Sequence, residues 1–139
     1  MMKTVVVFVG GVLAGCALQP FATARAQADH RVFEIRTYTA PEGKLNALHA
    51  RFRDHTRRIF QNHGMTSIGY WVPQDAPQAQ NTLIYILAHP SREAAQKNWA
   101  AFQADPEWQK VSAESQKDGR IVSKVESVFA DPTDYSPIR

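Results

Sequence analysis

Two side chains in the sequence have types suited to proton transfer in a pocket, His55 and Tyr38. Imidazole has an unperturbed pKa of about 6.5, so a pocket histidine can act as a base near neutral pH or as a haem ligand. Tyr38 stands near the end of a predicted strand, where pockets open, and its hydroxyl can donate a proton. Alternatively, His55 lies at the edge of the apolar helix face and bonds to a backbone carbonyl. For Tyr38, the alternative to proton donation is a structural role.

A charged pair precedes Tyr38 on the same strand face. Side chains alternate along a strand with period two, so Glu34, Arg36 and Tyr38 share one side. In one interpretation Arg36 holds a ligand carboxylate. The favoured interpretation is structural, with cross-strand ion pairs that fix the register of a dimer. The predicted partners are Glu34 and Arg36 on the first strand and Lys124 and Glu126 on the last.

Aromatic side chains supply the walls that a ligand pocket needs. If His55 faces such a pocket, an amide beside the aromatic rings supplies a polar contact. Most of these rings are equally well explained as core; Trp99 and Phe102, three residues apart, would anchor a helix without any ligand. The predicted ligand-binding residues are Phe52, Trp71, Tyr85, Asn98 and Trp99.

The sequence contains none of the common metal, nucleotide or nucleophile motifs. The five histidines form no H-x-x-x-H pair, and G-x-S-x-G and G-x-G-x-x-G are both absent. The only cysteine, Cys16, lies outside the predicted fold, so no disulfide forms within the chain. The sequence therefore predicts no metal site and no cofactor.

Six elements are expected to position these residues. Apolar periodicity and breaker residues predict strands at 32–39, 66–72, 82–89 and 121–129 and helices at 44–62 and 91–119. Leu45, Leu48, Phe52 and Ile59 form the apolar stripe of the first helix. The second helix is predicted to start at a Ser91 N-cap and to break near residue 104, restarting with Asp105 as N-cap and Pro106 in the first turn.

The order βαββαβ predicts a ferredoxin-like α+β fold. Right-handed crossovers and a single antiparallel sheet give the strand order 4-1-3-2, with the first strand central and the helices on one face. The other face needs a cover. A second copy of the sheet is the simplest one, so we expect a homodimer.

The first 28 residues have the layout of an export signal. Lys3 is followed by an apolar run over 5–18, too short and too glycine-rich for a comfortable membrane span. Cleavage is predicted either after Ala28, in an A-x-A site, or at a lipobox that would leave Cys16 lipidated; an uncleaved anchor is the alternative. The protein is therefore expected to be periplasmic or extracellular, touching a membrane only through this segment or a lipid.

The charge of the chain gives no case for nucleic-acid binding. Without Lys3 and Arg25 of the leader, the 16 basic residues fall to 14, against 13 acidic ones. A cluster of arginines on the first predicted helix is explained by solvation, with an anionic partner as the alternative. Its members are Arg51, Arg53, Arg57 and Arg58.

Four stretches of the sequence resemble the NIPSNAP family. They are "VFEIRTYTAPEGKLNALHARFRDHTRRIFQNHGM", "GYW", "NTLIYILAHPSREAAQKNWAAFQADPEWQKV" and "IVSKVESVFADPTDYSP". The resemblance implies a dimeric α/β barrel, in which two ferredoxin-like sheets pack face to face. Related barrels include cofactor-free monooxygenases, haem-degrading enzymes and isomerases, while the NIPSNAP branch has no settled activity to transfer.

Residues 29–139 are thus expected to form one domain with an extended tail from about residue 130. The function expected of it is small-molecule binding between sheet and helices. Two alternatives stay open: a non-catalytic dimeric scaffold or interaction module of the cell envelope, and a cofactor-free monooxygenase or haem-binding enzyme.

Overall fold

The chain runs strand, helix, strand, strand, helix, strand, as the sequence predicts. The computed structural model describes residues 31–139; the predicted leader at 1–28, with Cys16 and both cleavage motifs, lies outside the described residues. Within 31–139, no helix has the length and apolarity needed to cross a membrane. The strands are β1 (Val32–Thr39), β2 (Thr66–Trp71), β3 (Thr82–His89) and β4 (Lys124–Ala130). The helices are α1 (Leu45–Arg51), α2 (Arg57–Asn62), α3 (Arg92–Ala104) and α4 (Pro106–Ser115).

The four strands form one antiparallel sheet in the order β2-β3-β1-β4. This is the predicted ferredoxin-like order, with β1 between β3 and β4. The apolar side chains of β3 on both faces suit its place inside the sheet. The central position of β1 means that its polar side chains meet neighbours on both sides.

A π-helical turn (Phe52–Thr56) joins α1 to α2, so that one continuous helical segment, here called the first helix, covers the sheet. Leu48, Phe52 and Ile59 are buried, as their spacing predicts. The π turn inserts one extra residue, and the Thr56 hydroxyl donates to the Arg51 carbonyl at 3.2 Å. Gly64 then takes φ = +71° and ends the segment.

The second helical segment breaks where the sequence predicts. Ser91 caps α3, because its hydroxyl accepts the Ala94 N–H at 3.1 Å. Asp105 caps α4 by accepting the Glu107 N–H at 2.7 Å, and Pro106 follows in the first turn. The helix α4 ends at Ser115, earlier than predicted, and β4 starts only at Lys124.

Both helical segments pack on the same face of the sheet, here called the helix face. It carries Glu34, Arg36 and Tyr38 from β1, opposite Tyr85 of β3. The open face carries Ile35, Thr37, Ile84, Ile86 and Val128. Of these side chains, Ile35 is 36% exposed and Val128 is 61% exposed. The polar side of β1 is therefore the buried one, and the apolar side is the uncovered one.

After β4 the chain continues without helix or strand to Arg139. Pro132, Ser136 and Ile138 of this tail lie beside Phe33 and Ile35 and line a shallow cleft of about 230 Å³. The tail thus covers one end of the open face and leaves its centre free.

Candidate functional site

The Glu34 carboxylate is held by four hydrogen-bond donors from four different elements. Glu34 is 1% exposed. Its Oε1 accepts from Arg36 Nη1 at 2.6 Å and from Ser127 Oγ at 2.7 Å. Its Oε2 accepts from Trp99 Nε1 at 2.7 Å and from His89 Nε2 at 3.1 Å. This carboxylate cage therefore ties β1 to β3, β4 and α3 at once.

The cage keeps Glu34 ionised. Burial by itself would raise the pKa of this carboxyl, but the hydrogen bonds from His89, Trp99, Ser127 and Arg36 outweigh it and lower the pKa to about 2. A carboxylate with such a low pKa is a poor proton acceptor near neutral pH. Glu34 is consequently a structural anion and not a general base.

The low pKa of Glu34 predicts a loss of stability in acid. The pKa falls from 4.5 to about 2 on folding. The stabilisation is therefore present above the unfolded value and is lost as the pH falls towards the folded value, which removes about 3 kcal/mol of the free energy of unfolding. Urea unfolding measured between about pH 6 and pH 2 checks this.

A variant isolates the contribution of Glu34 to this acid response. Asp105 and Glu107 also have lowered pKa values, through hydrogen bonds from His63 and Arg58, and weaken the fold in the same direction. Glu34→Gln should therefore show a smaller, not a vanishing, loss between these pH values. Equal acid sensitivity in wild type and Glu34→Gln would contradict the assignment.

The predicted cross-strand ion pairs are wrong. Arg36 pairs with Glu34 on its own strand, and Lys124 pairs with Glu126 at 2.9 Å, also within one strand. The register places Glu126 opposite Thr37 and therefore on the open face, whereas Glu34 and Arg36 face the helices. The prediction that Arg36 sets the register of a dimer loses its structural basis for the same reason.

Arg36 joins the carboxylate cage to the aromatic residues beneath the helices. Its guanidinium carbon lies 4.2 Å from the centre of a Trp99 ring, a cation–π distance. Its Nη2 lies 3.4 Å from the Tyr38 hydroxyl. Tyr38 in turn packs edge-on against Phe52 and Tyr85, at centroid distances of 5.8 and 5.2 Å.

Tyr85 brings a hydroxyl into the middle of the core. The residue is 0% exposed, and its ring stacks on Tyr70 at 5.6 Å. Burial and the neighbouring Tyr38 hydroxyl raise the pKa of Tyr85, yet no hydrogen bond of good geometry reaches its oxygen within residues 31–139. A buried hydroxyl without a partner costs roughly 1–3 kcal/mol, so its retention needs a reason.

Arg51 places a second guanidinium under the helices. It is 6% exposed, lies over the Trp108 ring at 5.2 Å and reaches Ser115 Oγ only at 3.5 Å. Burial lowers the pKa of Arg51, while Tyr38 and Tyr85 act in the opposite direction. No carboxylate among residues 31–139 forms an ion pair with it, and its Nε makes no hydrogen bond there. Arg51 is thus a buried cation without a counter-ion in the described part of the chain.

Together these side chains form what we call the inner polar cluster: Glu34, Arg36, Tyr38, Arg51 and Tyr85. Two guanidinium groups stand against one carboxylate, which leaves an excess of one positive charge. Three of its polar atoms, Arg36 Nε, Arg51 Nε and Tyr85 Oη, are buried without a hydrogen-bond partner in residues 31–139. These three atoms can donate hydrogen bonds to an acceptor group of a ligand.

The predicted ligand-binding residues divide between two parts of the molecule. Phe52 and Tyr85 lie at the inner polar cluster, with ring centres 5.1 Å apart, and Trp99 borders it through Arg36. Trp71 lies on the opposite face of the sheet, over Gly69, and is 49% exposed. Within residues 31–139, the Asn98 amide donates to the Gly64 carbonyl at 3.4 Å and makes no hydrogen bond to the inner polar cluster. The predictions for Trp71 and Asn98 as pocket residues are therefore wrong.

His55 does not face the predicted pocket. It lies in the π turn on the exposed side of the first helix, whereas Phe52 of the same turn is buried. Its side chain lines an outer groove beside Glu107 and Lys110. The structure therefore does not bring His55 together with Tyr38, Tyr85 or Trp99, and the prediction that His55 and Tyr38 face into one pocket is wrong.

Three residues of this region were not predicted as site residues from the sequence. His89 and Ser127 complete the cage, and Arg51 supplies the second cation. The sequence did indicate that Arg51 is buried, because it stands three residues after Leu48 and one before Phe52, on the apolar stripe of the first helix. His89 likewise follows Tyr85 and Leu87 at alternate positions of β3.

Comparison with known proteins agrees with this architecture. A family model described as NIPSNAP matches residues 33–137. The chain belongs to the NIPSNAP family. The match spans all four strands and the inner polar cluster of this NIPSNAP chain. The sequence matches no curated protein.

Solved structures of other NIPSNAP proteins have the same fold. A NIPSNAP family protein of unknown function from Agrobacterium tumefaciens has a TM-score of 0.69 and 25% identity, over 79% of this chain and 95% of that one. A second one from Agrobacterium tumefaciens has a TM-score of 0.69 and 23% identity, over 79% and 100%. SnoaB, a cofactor-independent oxygenase from Streptomyces nogalater, has a TM-score of 0.50 and 12% identity, over 77% and 97%, which shows the fold alone.

Proposed function

We propose that this NIPSNAP protein binds a small molecule between its sheet and its helices, at the inner polar cluster. The observation that carries the proposal is the burial of polar atoms that have no partner in residues 31–139. A core built only for packing gains nothing from Arg51 Nε and Tyr85 Oη, because each is desolvated without a compensating hydrogen bond. A ligand with hydrogen-bond acceptors would supply that bond.

The surroundings of the cluster suit a small organic ligand. Phe52, Tyr70 and Trp108 offer aromatic surface, and Arg51 and Tyr85 offer polar contacts of fixed direction. Apolar walls with a few convergent polar groups are the usual composition of ligand sites. An oxygenase activity would rest only on the fold shared with SnoaB, so the proposal concerns binding and not a reaction.

Tyr85→Phe is expected to separate stability from binding. The change removes a buried hydroxyl that lacks a good partner, so the free energy of unfolding should rise by about 1 kcal/mol. The same change should abolish or weaken retention of any compound that co-purifies with the protein. Urea unfolding measures the first effect, and mass spectrometry of compounds released from the purified protein measures the second.

Leu83→Ile is the matched control. Leu83 is a buried neighbour on the same strand and carries no polar atom. The control should retain the compound that wild type carries. A Tyr85→Phe protein that keeps this compound at wild-type amount, or a wild type that neither carries nor binds any small molecule, would contradict the proposal and favour a purely structural module.

We also propose that two copies associate through the open face. The centre of this face is aliphatic, and the tail covers only one end of it. Exposed Ile35 and Val128 would lose contact with water in such a dimer, at a gain of about 25 cal/mol per Å² of apolar area. Apolar side chains of the open face, and not the predicted ion pairs of Glu34 and Arg36, would thus form the contact between the two copies.

A further inference from the structure

A groove on the outside of the molecule leads to Arg51. It runs between the first helix and α4 and has a volume of about 510 Å³. We call it the helical groove. Its apolar walls are Ala47, Ala50 and Val111, and its rim contains Asp54, His55, Glu107, Lys110 and Glu114. Arg51 and Ser115 complete the lining.

Arg51 belongs both to this groove and to the inner polar cluster. It lines the groove, and its charge acts on the Tyr38 and Tyr85 hydroxyls beneath the helices. Among residues 31–139, its guanidinium lies over the Trp108 ring and makes one long hydrogen bond, to Ser115 Oγ at 3.5 Å. A group that enters the groove therefore meets the Arg51 guanidinium among the lining residues.

The charges on the rim do not oppose an anion. Glu107 is paired with Arg58, and Glu114 is paired with Lys117 at 2.6 Å. Asp54 is the remaining acidic residue of the rim, and Lys110 of α4 lines the same groove. The excess positive charge is therefore at the buried end of the groove.

The chemistry of Arg51 selects one class of group. A guanidinium binds a planar carboxylate with two parallel hydrogen bonds, and burial strengthens this pairing. One carboxylate carries one negative charge, which equals the excess charge of the inner polar cluster. A phosphate dianion would exceed this excess charge.

We propose that the ligand is a small monocarboxylate that enters through the helical groove and pairs with Arg51. The inference rests on the proposed function and specifies its ligand class. The remainder of the ligand lies against Ala47, Ala50 and Val111, which favours a compact apolar or aromatic body.

Benzoate and benzamide test the need for a carboxylate. The two probes share size and shape and differ in charge, so a site built around Arg51 should bind benzoate at least about tenfold more tightly. Titrations of the full-length protein followed by tryptophan fluorescence and by two-dimensional NMR measure both affinities. Signals of Arg51, Val111 and Trp108 should shift with benzoate.

Arg51→Gln and Arg53→Gln locate the site. Both residues lie on the first helix, but Arg53 is exposed and is not part of the helical groove. Arg51→Gln should weaken benzoate binding by about tenfold or more, and Arg53→Gln by less than about twofold. Circular dichroism confirms that each variant is folded. If Arg51→Gln does not fold, the comparison of benzoate with benzamide on wild type still decides whether the site needs a carboxylate.

The outcomes separate this inference from the proposed function. Equal affinity of benzoate and benzamide, with loss of both in Tyr85→Phe, would overturn the carboxylate assignment and leave small-molecule binding intact. Benzoate binding that survives Arg51→Gln, or that is lost equally in Arg53→Gln, would also overturn it. Absence of binding by either probe, together with no co-purified compound, would overturn both.

Discussion

Glu34→Gln is expected to lower the free energy of unfolding by about 3–5 kcal/mol, a large part of the stability of a domain of this size. The substitution keeps the volume of the side chain but removes the negative charge to which Arg36 and the other donors of the carboxylate cage are bound. The amide also presents a donor to a cage that consists of donors, so one of them loses its bond. Urea unfolding near neutral pH measures the loss.

Glu126→Gln is the matched control for this experiment. Glu126 is also a strand carboxylate in an ion pair, but it is exposed and lies on the open face. Exposed pairs contribute about 0–1 kcal/mol, so the control should change the free energy of unfolding little. If Glu34→Gln costs no more than Glu126→Gln, the carboxylate cage does not hold the sheet and α3 together.

Val128→Glu is expected to convert the proposed dimer into a monomer. Val128 is 61% exposed on β4 and points to the open face beside Ile35. A carboxylate at this position would be buried without a partner in the interface, and burying an unpaired charge costs several kcal/mol. Size-exclusion chromatography with light scattering at micromolar concentration gives the mass directly.

Val125→Glu provides the control on the same strand. Val125 is 46% exposed and lies opposite Tyr38, so it faces away from the open face. The control variant should keep the mass of wild type. A monomeric wild type, or dissociation of both variants alike, would show that the open face is not the contact between copies.

The local sequence determined most of the fold. Apolar periodicity marked both helical segments, and Ser91, Asp105 and Gly64 marked three of their ends, because caps depend on one or two residues and their own backbone. The element order then restricted the sheet to very few arrangements. The resemblance to the NIPSNAP family was likewise visible in the sequence, and the family match confirms it.

The site depended on contacts that the sequence does not show. His89, Trp99 and Ser127 are 55, 65 and 93 positions from Glu34, and only folding brings them to its carboxylate. Arg51 was grouped with exposed arginines because of its charge, although its position on the apolar stripe indicated burial. His55, only four residues further along, is turned to the outer side of the first helix.

The alternation along β1 determined that Glu34, Arg36 and Tyr38 share one side and that Ile35 and Thr37 share the other. It did not determine which side the helices cover, because a period of two is the same from either face. Tertiary structure decided this: donors of β3, β4 and α3 satisfy the Glu34 carboxylate, so this charged group can be buried beneath the helices. The aliphatic side, which needs no hydrogen bonds, is the one that the helices leave uncovered.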